Sequence, residues 1–211
     1  HKCVGDTETV TCNNIHPKLP ADINQMYNDF FFKYILFIRN PMTAIPSSHN
    51  SKLNKFHGLQ GQVPEEEWGE TRDGWVERMW IQWKRSILEW RDSQYELGMY
   101  LVYEDLMDVR RGPLTLKKLA GLLKEAGFDV VEDDEAISCI WYNGIGRNRL
   151  ETHKKMGQEY EDYIPGFKTA HKDFFIKELD KLLKEIRGDD VLENILLRYK
   201  WEIDGKIRVD V

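Results

Sequence analysis

The chain has 211 residues, of which 41% are hydrophobic and 31% are charged, as in a typical globular protein. This length fits one domain (1–211) with a sizeable core. The net charge of −6 argues against a general binder of nucleic acid or anionic membranes. No apolar run approaches the roughly 18 residues of a membrane span.

The first predicted strand is the apolar run 30–38, whose composition is typical of a strand buried on both faces. Asn40-Pro41 ends it, because proline cannot donate to a strand ladder and restricts the residue before it. The next segment, 47–67, is rich in Ser, Asn, Gly and Gln, and predicts a loop or a broken helix.

A long amphipathic helix is predicted over 68–95. Its apolar residues recur at steps of three and four along one face: Val76, Trp80, Trp83, Ile87 and Trp90. A tryptophan stripe of this kind favours core packing over a ligand-binding box.

The second half predicts another strand and several helices. MYLVYEDL (99–106) has the pattern of a strand, and Pro113 opens a helix that ends at Gly127. We expect further helices from 133 to 141 and from 171 to 198, a loop over NGIGRNR (143–149), and a small hairpin in 200–211 around Asp204-Gly205.

This succession of strands and helices predicts an α/β fold with a parallel sheet flanked by helices. Ligands of such sheets bind at the carboxyl ends of the strands. Arg39 and the segment Tyr103–Asp105 lie at or near two such ends.

Arg39 directly follows the first strand, and Ser47 and Ser48 follow one or two helical turns later. A guanidinium, hydroxyl groups and the backbone N–H groups of a helix start form an arrangement that suits a phosphate. Taken alone, RNP…S is better explained by a surface salt bridge.

Three segments in order change that interpretation: IRNPMTAIPS, ILEWRDSQYELGMYLVYEDL and LKKLAGLLKEAGF. Together they resemble the sulfotransferases that use 3′-phosphoadenosine 5′-phosphosulfate (PAPS). A fourth, weaker match is IHPKLP. The resemblance spans about 15–128, over half the chain, and implies the sulfotransferase type of the P-loop nucleotide hydrolase-like fold.

The resemblance also implies residue roles. Arg39 and Ser47 would hold the 3′-phosphate of PAPS or of adenosine 3′,5′-bisphosphate, and Tyr103 would lie close to the adenine. A basic segment that covers the same phosphate would be NGIGRNR, with Arg147 and Arg149 as donors, although a solvated loop explains that segment equally well.

His16 is the candidate catalytic base, since sulfuryl transfer to an alcohol needs a base at the acceptor hydroxyl. Two departures from the family motif leave alternatives open. Asn14 stands where the family carries a lysine, and one inserted residue allows Lys18 to occupy the histidine's place. An ordinary loop histidine is the other interpretation of His16.

The glycine- and threonine-rich loop that binds the 5′-phosphosulfate in this family, and the strand before it, are absent from these 211 residues. Transfer without that loop should be very slow, because it neutralises charge on the leaving phosphate. We expect the segment to be an upstream stretch of the same gene product, a cleaved fragment that stays docked, or a strand from a partner protein. Degeneration into an inactive protein is the remaining explanation.

The sequence thus predicts an enzyme that transfers a sulfuryl group from PAPS to a hydroxyl acceptor of small-molecule or carbohydrate type, without a metal. A catalytically inactive structural subunit of a larger complex is the alternative, and a phosphotransferase of the P-loop kinase class ranks last. The compartment is either the Golgi lumen or the cytoplasm. Cys3 and Cys12 are spaced for a disulfide bridge, but two free thiols fit equally well.

Overall fold

The computed structural model describes the backbone of residues 33–57, 65–93, 95–146 and 157–205, and the side chains of 33–52, 74–93, 95–146 and 171–205. This part of the chain is mostly helical, with a two-stranded parallel sheet flanked by helices. The α/β prediction is confirmed at this level. No helix in the described ranges is long and apolar enough to cross a bilayer.

The elements follow one another in chain order with short connections where these are described. They are β1 (Lys33–Ile38), α1 (Pro41–His57), α2 (Glu65–Arg91), β2 (Glu96–Val102), α3 (Tyr103–Met107), α4 (Arg111–Glu125), α5 (Asp134–Trp141), a π-helical turn (Tyr142–Gly146), α6 (Gly157–Glu185) and α7 (Asp190–Asp204).

The sheet has one buried face and one partly exposed face. Leu36 and Ile38 of β1 join the core, as does Val102 of β2, which is the register partner of Ile38. On the other face, 36% of Ile35 and 52% of Phe37 stay exposed. The prediction of a strand buried on both faces is therefore wrong for β1, because the described helices cover mainly one side of the sheet.

The core lies between that buried face and the helices α1, α2, α6 and α7. Trp80 of α2 stacks on Trp83 with ring centroids 5.2 Å apart and meets Phe175 of α6 edge-on at 5.7 Å. The tryptophan stripe is thus a packing surface, as predicted from its spacing.

Residues 47–57, predicted as a loop or a broken helix, continue α1. Pro41 takes the first position of this helix, where its missing N–H costs nothing. Met42 and Ile45 are almost fully buried in the core. Their packing outweighs the polar composition of the segment and the proline at position 46, which removes one internal hydrogen bond.

The predicted hairpin around Asp204-Gly205 is wrong, because α7 continues to Asp204. Its buried residues recur at helical spacing: Leu192, Leu196, Tyr199 and Ile203. Gly205 ends the helix with a φ of 74°, the left-handed conformation that favours glycine. The long helix predicted over 171–198 is divided by a break at Gly188, where φ is 97°.

The helices α4 and α5 form where they were predicted, and α5 ends at Trp141 as expected. The start of α4 is corrected, since the helix begins at Arg111, before Pro113, and it ends at Glu125, before Gly127. The prediction of a loop over 143–149 is corrected for its first part, since Tyr142–Gly146 forms a π-helical turn.

Cys139 on α5 is disulfide-bonded, whereas Cys3 and Cys12 lie outside the described residues. Because the chain has three cysteines, a bond within the chain at Cys139 cannot coexist with the predicted bridge between Cys3 and Cys12.

Candidate functional site

Arg39 and Tyr103 meet at the carboxyl ends of the two strands. Because β1 and β2 are parallel, the residues that follow them lie at the same edge of the sheet. The guanidinium carbon of Arg39 lies 4.3 Å from the centroid of the Tyr103 ring. This distance is well within the range of a cation–π interaction. Parallel pairing thus joins two predicted site residues that stand 64 positions apart.

The guanidinium of Arg39 keeps its two terminal nitrogens available. Its Nε donates to Thr43 Oγ1 at 3.2 Å, one turn into α1. Neither terminal nitrogen has an acceptor within the described part of the chain, and no described carboxylate forms an ion pair with them. Arg39 therefore does not form, with any described residue, the surface salt bridge that was the alternative interpretation.

Ser47 lies on the same face of α1 as Thr43, because residues four apart on a helix are neighbours. One turn, about 6 Å, separates the two positions along the helix axis. The Ser47 hydroxyl is partly exposed and has no hydrogen-bond partner among the described residues. The Thr43 hydroxyl already donates to the backbone carbonyl of Asn40 at 3.1 Å, so Arg39 and Ser47 are the donors that this side of the helix start offers to a ligand.

The backbone N–H groups of the first turn of α1 are already occupied. The side-chain oxygen of Asn40 accepts the N–H of Met42 at 2.9 Å. The carbonyl of Asn40 accepts those of Thr43 and Ala44 at 3.0 and 2.8 Å. Pro41 has no N–H, so the expectation that the helix start adds backbone donors to an anion site is wrong. The donors that remain are side chains.

The two acidic residues after Tyr103 bind other parts of the protein. Glu104 accepts the backbone N–H of Asn40 and the hydroxyl of Tyr199, each at 2.9 Å. Asp105 binds Arg198 at 2.7 Å and Arg111 at 2.9 Å. These carboxylates therefore hold α3 and α7 together next to the site, and neither forms an ion pair with Arg39 in the described structure.

Sequence reasoning missed the partners of these carboxylates, Asn40, Tyr199, Arg198 and Arg111. Glu104 and Asp105 were visible as a polar end to an apolar strand. The spacing of Tyr199 predicts only a buried position on a helix. Nothing in the sequence near Tyr199 predicts that its hydroxyl binds Glu104, 95 residues away. Thr43 had the signal of its helical spacing from Ser47.

His16, Arg147 and Arg149 lie outside the described residues, as does Lys18. The structure thus brings Arg39 and Tyr103 together at one edge of the sheet and places Ser47 about two turns into α1, while the predicted base and the predicted basic segment stay predictions. No group of three or more His, Cys, Asp or Glu side chains that could hold a metal ion occurs in the described ranges.

Comparison with known proteins identifies no relative of this chain. No protein-family model, no curated protein and no solved structure matches it. The chemistry of the site therefore follows from its own geometry. A guanidinium whose two terminal nitrogens have no acceptor among the described residues, with the Ser47 hydroxyl further along the same helix, can bind an oxyanion such as a phosphate.

Proposed function

We propose that this chain is a sulfotransferase-type domain that binds PAPS and transfers its sulfuryl group to a hydroxyl acceptor. The proposal rests mainly on the position and the hydrogen bonding of the Arg39 side chain. It is a partly buried arginine at the carboxyl end of a parallel strand, in contact with Tyr103 and Thr43, and neither terminal nitrogen has an acceptor in the part of the chain that the structure describes. Ion sites of α/β sheets lie at this edge.

In this mechanism Arg39 binds the 3′-phosphate of the nucleotide through its two terminal nitrogens, and the Ser47 hydroxyl donates to the same group. The acceptor oxygen attacks sulfur in line as the bond from sulfur to the 5′-phosphate oxygen breaks. His16 takes the proton of the acceptor hydroxyl, and adenosine 3′,5′-bisphosphate leaves. The resemblance implies a loop that would neutralise charge on the departing phosphate.

The acceptor class we propose is a small molecule or a carbohydrate, and the compartment is the Golgi lumen. The disulfide bond of Cys139 supports an oxidising compartment, since such bonds are rare in the cytosol. A peptide map under non-reducing conditions tests this point, and Cys139 recovered as a free thiol would contradict it.

Titration with adenosine 3′,5′-bisphosphate tests the proposed site, with the melting temperature as the readout. At 100 times Kd, ligand binding should raise Tm by roughly 5–10 °C for a chain of this size. Arg39→Ala should abolish this increase while the free protein still folds. The matched control is Arg85→Ala on α2, which removes an exposed arginine whose ion pair among the described residues is with Glu89, at 3.4 Å.

An unchanged Tm of the wild-type protein at saturating nucleotide would refute the proposal. A full response of the Arg39→Ala variant would instead show that the phosphate binds elsewhere. The control variant should respond like the wild-type protein in either case.

One observation favours the second candidate function, a catalytically inactive subunit that binds a protein partner. The first turn of α1 is closed by Asn40, so it lacks the free backbone donors expected of a phosphate site. This candidate predicts no turnover of PAPS and stable co-purification with another protein. Measured sulfuryl transfer by the protein would exclude it.

A further inference from the structure

The aromatic ring of Tyr103 packs against the planar guanidinium of Arg39. The guanidinium lies over the face of the ring at 4.3 Å, and Phe37 meets the same ring edge-on, with centroids 6.0 Å apart and an interplanar angle of 83°. The Nε of Arg39 is held at the same time by Thr43. The Tyr103 ring is therefore in contact with the guanidinium on one face and forms a T-shaped pair with Phe37.

These contacts orient a side chain that is otherwise flexible. An arginine loses much rotamer freedom when it binds a ligand, and a planar group stacked on a ring loses less because it is already ordered. Stacking also leaves the edge of the guanidinium free, which is the edge that binds a phosphate through two parallel hydrogen bonds.

We propose that Tyr103 is a positioning residue that holds Arg39 ready for the 3′-phosphate, and that it does not act through contact with the nucleotide base. This inference rests on the proposed function and deepens it. The resemblance implies a tyrosine close to adenine, whereas the geometry assigns one face of the ring to the guanidinium. Tyr103 should therefore affect selectivity for the 3′-phosphate, with no effect on affinity for the adenosine part.

Two nucleotides separate these roles: adenosine 3′,5′-bisphosphate and adenosine 5′-monophosphate, which lacks the 3′-phosphate. The measured quantity is the ratio of their Kd values by calorimetry. Tyr103→Leu should reduce this ratio by about 2- to 30-fold, the contribution of a cation–π contact, with the Kd for the monophosphate unchanged. Tyr103→Phe keeps the ring and should behave like the wild-type protein.

The double variant Arg39→Ala/Tyr103→Leu should be no worse than Arg39→Ala, because Tyr103 acts only through the arginine. The control for loss of an aromatic ring is Tyr142→Leu, since Tyr142 is 49% exposed and lies on the π-helical turn. It should leave both Kd values unchanged.

Each other outcome contradicts a specific part of the argument. An equal loss of affinity for both nucleotides in Tyr103→Leu would show a base contact and overturn the positioning role alone. A loss of affinity in Tyr103→Phe equal to that in Tyr103→Leu would show that the tyrosine hydroxyl, and not the ring, is responsible for the loss. A wild-type protein that binds the bisphosphate no more tightly than the monophosphate would refute the proposed phosphate site, and the positioning role with it.

A measurement on the free protein checks the contact without any nucleotide. The side-chain protons of Arg39 should show a ring-current shift in NMR spectra that disappears in Tyr103→Leu and persists in Tyr103→Phe. Absence of this shift in the wild-type protein would overturn the proposal.

Discussion

The hydroxyl of Tyr199 donates to one carboxylate oxygen of Glu104 at 2.9 Å, and the other oxygen of Glu104 accepts the backbone N–H of Asn40 at 2.9 Å. Asn40 in turn donates from its side chain to Glu202 at 2.8 Å. The last described helix is thereby bonded to the residues that follow β1 and β2. The candidate site thus sits on a polar network that connects the sheet with α7.

Tyr199→Phe should destabilise the protein, because it removes a hydrogen bond to a charged group while preserving the shape of the side chain. The expected loss is about 1.5–3 kcal/mol in the free energy of unfolding, measured by urea denaturation. Tyr142→Phe, at an exposed position, is the matched control and should change stability by less than about 0.5 kcal/mol. Equal stability of the two variants would mean that the Glu104 contact contributes nothing.

His49 on α1 should make stability depend on pH in the acid range. Burial, with a smaller effect of the Lys52 charge, lowers the pKa of His49 from 6.5 to about 4. The unfolded state therefore binds a proton at His49 more readily than the folded state does. The contribution of His49 to the free energy of unfolding is therefore fully present above pH 6.5. It decreases as the pH falls toward 4, by up to about 3 kcal/mol.

The comparison of the wild-type protein with His49→Gln in urea denaturation between pH 4 and 8 measures this effect. The non-titrating variant should lose less stability on acidification across that range. An NMR titration of His49 gives an independent check, and a pKa near 6.5 in the folded protein would contradict the prediction.

Two glycines of α4 should respond in opposite ways to alanine. At Gly112 a Cβ atom would lie 2.2 Å from Nε1 of Trp141 and 2.6 Å from the backbone oxygen of Leu106. At Gly121, apart from the adjoining backbone of the helix itself, no described atom lies within 4 Å of the added Cβ. Gly112→Ala should therefore cost about 1–3 kcal/mol or more, and Gly121→Ala should stabilise the helix by about 0.5–1 kcal/mol.

Thermal and urea unfolding of both variants measure the difference, and near-UV circular dichroism follows the environment of Trp141. Trp141 donates to the backbone oxygen of Leu106 at 2.7 Å, so its displacement should change that spectrum only in Gly112→Ala. A stable Gly112→Ala variant with an unchanged spectrum would show that α4 and α5 pack less closely than described.

Local signals in the sequence were sufficient for several elements. The tryptophan stripe predicts α2, Pro113 and Gly127 lie near the two ends of α4, and the polar residues after two apolar runs mark the ends of β1 and β2. These predictions succeed because they depend on periodicity and on the conformational limits of proline and glycine, which act within a few residues. The same local patterns failed at 47–57 and at 200–205, where burial of Ile45 and of Ile203 extends the helices.

The sequence by itself determined the apolar faces of the helices, the positions where the strands end, and the spacing between Arg39 and Ser47. Only the tertiary structure decided that Arg39 rests on Tyr103, that Asn40 occupies the helix amides, and that Glu104 binds Tyr199 across 95 residues. The physical reason is the distance along the chain over which each interaction acts. Periodicity is a property of neighbouring residues, whereas the partner of a buried polar group depends on how the parallel strands and α7 pack together.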